Sequence, residues 1–91
     1  MARFLIEVEH DGDAIACARA QHQFLRSGSH YLTHADWGCK DGVHSAWLIV
    51  ESETREEVRG ILPPAERPGA RIVALTDFSE ALTQHGLDLA R

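Results

Sequence analysis

Six histidines fall within 91 residues, and three of them, His30, His34 and His44, lie close together in the chain. Imidazole titrates near neutral pH and is a common metal ligand, so such a cluster can move protons or hold an ion. His34-Ala35-Asp36 adds a carboxylate, and Cys39 in the glycine-bounded segment Gly38-Cys39-Lys40-Asp41-Gly42 adds a thiol. Whether these groups meet depends on the strands that carry them.

Residues 30–37 are aromatic and β-branched enough for a strand, and 43–51 for the next, with 38–42 as a hairpin loop. If Trp37 pairs with Val43, then Asp36 faces His44 and His34 faces Ala46. One face then carries His30, Leu32, His34, Asp36, His44, Ala46, Leu48 and Val50. The other carries Tyr31, Thr33, Ala35, Trp37, Val43, Ser45, Trp47 and Ile49, and as the more aromatic set it suits the helix-packed core. His34 and Asp36 would stand about 6.6 Å apart along the strand, with His44 opposite or diagonal. His30 would be about 13 Å from His34 on an ideal strand, and shares an ion with it only across a bulge. A register slip of one residue would break the patch.

His34, Asp36 and His44 are therefore the expected metal ligands, with His30 a second-tier candidate. Two imidazoles and a carboxylate suit Fe(II), while Zn, Ni and Cu also accept imidazole; a thiolate from Cys39 would favour Zn or Cu. Glu7, on the first strand, can reach the same face as a base or extra ligand. Glu7 and Cys39 are the expected catalytic groups, and Lys40 beside Cys39 favours the thiolate form. A metal-free pocket in which one histidine carries a proton, of isomerase or monooxygenase type, competes with this reading. So does a binding module without catalysis. Trp37 and Trp47 are read as core or dimer anchors. His10, His22 and His85 are read as surface residues.

The positioning elements follow from pattern. Phe4, Ile6 and Val8 alternate with Leu5, Glu7 and Glu9 over residues 3–9, which is a half-buried strand. Asp13 is placed to cap a helix carrying Ala14, Cys17, Ala18, Gln21, Phe24 and Leu25, and Gly28 to end it. Thr54 and Glu57 form a capping box ahead of Val58, Ile61 and Leu62, and Pro63-Pro64 stops that helix. Residues 71–76 are a fourth strand, and Asp77 caps a last helix with Phe78, Leu82 and Leu89 as its apolar positions. The order is β-α-β-β-α-β plus a helix. This is the α+β ferredoxin-like plan, a single domain over 1–91 with a four-stranded antiparallel sheet and an extra C-terminal helix. One sheet face is left bare, and a second copy is the expected cover, giving a homodimer.

Nine basic residues against fourteen acidic give a net charge of −5 with no basic patch, which argues against nucleic acid as a partner. No apolar run reaches the roughly 18–20 residues of a membrane span. The opening segment reads as a strand and not as a signal peptide, so a cytosolic protein is expected. In that compartment Cys17 and Cys39 should remain unbridged, with Cys17 in the core.

The stretch Ser29-His30-Tyr31-Leu32-Thr33-His34-Ala35-Asp36-Trp37-Gly38-Cys39 resembles small uncharacterised bacterial proteins of about this length. Asp41-Gly42, His44, Ala46-Trp47, Ile49-Val50-Glu51 and Ile61-Leu62-Pro63-Pro64 extend the likeness. The element order is also similar to the dimeric α/β-barrel superfamily, which includes muconolactone isomerases, small quinone-forming monooxygenases and a small nickel-binding family. That resemblance implies a homodimer whose two sheets enclose a cavity, and a small-molecule ligand. It transfers no catalytic residue, since fold alone does not carry function.

Overall fold

Alternation along Ala2–Glu9 decides the centre of the molecule. In the computed structural model, which describes residues 1–84, this segment is strand β1, with Phe4, Ile6 and Val8 buried. Helix α1 (Ala14–Ser27) follows. The Asp13 carboxylate accepts the Ala16 N–H at 2.7 Å, and Gly28 closes the helix at φ 69°. Strand β2 is only Asp36–Trp37, and strand β3 is Ser45–Ser52. Helix α2 (Arg55–Ile61) begins where Thr54 accepts the Glu57 N–H at 3.2 Å. Strand β4 (Ala70–Leu75) and helix α3 (Phe78–Gln84) complete the described chain, and Asp77 accepts the Glu80 N–H at 2.8 Å. Leu89 and His85 lie outside the described residues.

The sheet order is β2-β3-β1-β4, all antiparallel, which is the ferredoxin-like arrangement with a C-terminal helix. The buried rows are Phe4, Ile6, Val8, then Ala46, Leu48, Val50, then Ile72. Phe24, Leu32, Val58 and Leu62 pack onto them. The opposite face carries Leu5, Glu7, Trp47, Ile49, Arg71 and Val73, with Ile49 at 56% and Val73 at 36% exposure. Among the described residues no helix is long and apolar enough to cross a membrane.

Two expectations for the hairpin are corrected. Residues 30–35 are not strand. The Ser29 hydroxyl accepts the Leu32 N–H, and the Thr33 hydroxyl donates to the carbonyls of Ser29 and His30. These local side-chain bonds offer the backbone an alternative to a ladder, and Leu32–His34 is a 3-10 turn anchored by buried Leu32. The register also differs: Trp37 pairs with Ala46 and Asp36 with Trp47, not Trp37 with Val43. The loop absorbs the difference. Gly38 O accepts from both Asp41 N and Val43 N, Cys39–Asp41 forms a 3-10 turn, and Gly42 ends it at φ 80°. An added Cβ at Gly38 would lie 2.7 Å from Val43 O and 2.8 Å from the Trp47 ring, so glycine is required there by close approach.

The row His44, Ala46, Leu48, Val50 does share a face, but that face is the helix-covered one. Trp47 and Ile49 take the open side, where the Trp47 indole N–H donates to Glu7 Oε2 at 2.8 Å. An indole needs such a partner when partly buried, and Glu7 supplies it only on that face.

Candidate functional site

The pairing of β1 with β3 runs one step beyond the strands. Glu9 sits opposite Ser45, and the His10 N–H donates to the His44 carbonyl at 3.1 Å. Side chains alternate along a strand. Val8 and Ala46 point into the helix layer, so His10, two residues after Val8, and His44, two residues before Ala46, point the same way. Their rings meet edge to face with centroids 5.6 Å apart. The 3-10 turn after Gly38 then brings Cys39 to them, with Sγ 3.2 Å from His10 Nε2.

Ligand atoms of His10, Cys39 and His44 all lie within 4.8 Å of one another, and each residue is partly buried. Among the described residues this is the one His/Cys/Asp/Glu group compact enough to share an ion. Both histidines carry a buried Nδ1 with no hydrogen-bond partner. Buried imidazole nitrogens are rarely left unpaired, since desolvation costs about 1–3 kcal/mol. Trp37 walls one side, its ring 5.8 Å from that of His10, and Phe24 packs against Trp37 at 4.9 Å. Cys39 is joined to Cys17 of α1 by a disulfide, contrary to the expectation of two free thiols. The bridge follows from α1 lying over the end of β1 and β3, a tertiary placement that puts its first turn above Cys39. Cys17 is accordingly half-buried beside the cluster and not part of the hydrophobic core.

The sequence-expected ligand set is not the set brought together. His44 is in the cluster. Asp36 is exposed on the other face, opposite Trp47. His34 lies in the 3-10 turn, its Nδ1 2.7 Å from the His30 carbonyl. That turn corrects the spacing argument for His30 as well: its ring lies tilted against that of His34 with centroids 4.5 Å apart, far closer than a strand allows. Both rings are exposed. Glu7 does reach the open face, but there it is held by Trp47 and by Arg71 at 3.1 Å, on the opposite side of the sheet from the histidine cluster. His22 is exposed as expected.

His10 is the residue missed. The signal was present, since Phe4, Ile6, Val8 and His10 continue one period-2 row. No protein-family model matches this chain, and no curated protein or solved structure is significantly similar to it.

Proposed function

We propose that this is a metal-binding protein whose reduced form holds one divalent transition ion through His10, His44 and the Cys39 thiolate. The observation that carries the reading is the convergence of three donors from separate chain segments onto one partly buried point. Two imidazoles and a thiolate are borderline-soft, which favours Zn(II), with Cu and Ni behind it, over Mg(II) or Ca(II). Fe(II) loses its argument because Asp36, the expected carboxylate, is on the other face. The site needs Cys39 as a thiolate, so a reducing compartment such as the cytosol is part of the proposal. Catalysis on a small molecule at the bound ion is the enzymatic form of this reading, and kinship with the dimeric α/β-barrel superfamily would be consistent with it.

The test is titration of phosphine-reduced protein with Zn(II) and Co(II). One equivalent is expected to bind, with thiolate-to-Co(II) charge-transfer absorption. At free zinc a thousandfold above Kd, unfolding should be harder by about 4 kcal/mol. No uptake, or uptake without sulfur absorption, overturns the reading.

A second element is self-association. The apolar row of exposed Ile49 and Val73 with half-buried Leu5 and Trp47 supports a homodimer through the open sheet face. Sedimentation equilibrium should give a dimer for the wild type and a monomer for Ile49→Glu. A monomeric wild type refutes it.

A further inference from the structure

We infer that Cys17 is the fourth ligand of the same site, and that the Cys17–Cys39 disulfide is its oxidised, metal-free state. This rests on the proposed metal reading and adds its regulation. In the disulfide, Cys17 Sγ is bonded to the very sulfur that lies 3.2 Å from His10 Nε2. His10, Cys39 and His44 form the compact group, and Cys17 stands one bond outside it, so that together they offer two nitrogens and two sulfurs, the composition of closed structural zinc sites.

The backbone spacing favours the opened pair. The Cα atoms of Cys17 and Cys39 are 7.1 Å apart. Disulfides usually span about 4.4–6.8 Å. Two thiolates on a tetrahedral zinc, each at about 2.3 Å, stand about 3.8 Å apart. A pair of cysteines at this spacing has room for an ion between them once the S–S bond is open. His10 Nε2 already faces the Cys39 sulfur, where an ion could insert.

Helix α1 gives a second reason. Its buried residues are Ala20 and Phe24, both beyond Cys17, while Ile15 is 71% exposed. What ties the start of the helix to the sheet is the Cys17 link, and a shared ion would keep that tie after reduction. An open cleft of about 420 Å³, lined by Ala14, Cys17, Gln21, Cys39, Lys40 and His44, gives reductant and ion a path to the sulfurs.

The chemistry balances. A dithiol reductant gives two electrons and two protons to the disulfide, becoming a disulfide itself, and leaves two cysteine thiols. Zn(II) binding releases those two protons to solvent. Hydrogen peroxide reverses the change. The two thiolates lose two electrons and form the S–S bond, the peroxide takes two protons and leaves as two waters, and the ion departs.

The experiment measures zinc affinity by chelator competition, and zinc release against thiol loss during peroxide titration. Reduced wild type should release one zinc for every two thiols lost, and the disulfide form should bind at least a hundredfold more weakly, about the share of one or more ligands. Cys17→Ser should bind zinc about a hundredfold more weakly than wild type, through His10, Cys39 and His44 alone. If reduced wild type takes no zinc, the metal reading itself fails and the inference with it. If wild type binds but Cys17→Ser binds equally well, or the disulfide form holds zinc equally well, only the inference is overturned. Should Cys17→Ser not fold, X-ray absorption of the zinc-loaded wild type decides: two sulfurs in the shell support it, one sulfur overturns it.

Discussion

His10→Ala and His44→Ala are each expected to weaken zinc binding by the reduced protein about a hundredfold, while His34→Ala and Asp36→Ala leave it unchanged. The magnitude follows from dividing a structural zinc site's roughly 10–16 kcal/mol among its ligands, which leaves about 3 kcal/mol for each. The pattern across the four variants is more telling than any single value. Pairing Trp37 with Val43 would have put His34 and Asp36 beside His44, whereas the observed Trp37–Ala46 pairing leaves them elsewhere. Each alanine removes a ligand without filling its space, and both histidines are only partly buried, so the fold should persist. Chelator competition with circular dichroism on the same samples checks both points. Zinc affinity lost in His34→Ala and kept in His10→Ala would refute the site as described.

The contrast between those histidines shows which features a sequence exposes. Local chemistry was legible. Asp13, Thr54 and Asp77 each cap a helix as their side chains dictate, Gly28 ends one in the left-handed region, and the βαββαβ order follows. The period-2 rows of β1 and β3 were legible too. For β1 the inward row was legible as well, but which row of β3 faces the helices was not, because that turns on Trp47 finding Glu7 across the sheet. Trp47 and Ile49 looked like core and lie on the open face, whereas Trp37 does pack beneath the helices. The His30–Ala35 segment misled for a different reason. Its residue types fit a strand, but Ser29 and Thr33 bond to nearby backbone and hold a tight turn. The register then depended on how many residues the loop after Gly38 consumes, and composition does not count them. Cys39 and His44 were marked as chemically able, but their partners His10 and Cys17 come from distant segments. The pairing of β1 with β3 brings His10 to them, and the packing of α1 over the sheet end brings Cys17.

Phe24→Ala is expected to be the most damaging single core substitution in α1. Phe24 is 2% exposed and meets the Trp37 ring at 4.9 Å. Removing a buried phenylalanine typically costs about 3–5 kcal/mol. Small domains are stable by about 5–15 kcal/mol in all, so the reduced variant should be close to unfolding at room temperature. The loss extends to the site, since Trp37 also walls His10 and α1 carries Cys17. The disulfide spans 22 residues, and a loop of that length stabilises by about 3 kcal/mol through the unfolded chain's lost freedom. Oxidised Phe24→Ala should therefore unfold at clearly higher urea than its reduced form, and the same gap should separate the two forms of the wild type. Parallel urea melts of the four samples measure both differences. A Phe24→Ala cost under about 1 kcal/mol would contradict the described packing of α1. An absent redox gap would mean the bridge does not tether that helix, which would remove the structural reason for an ion to take its place.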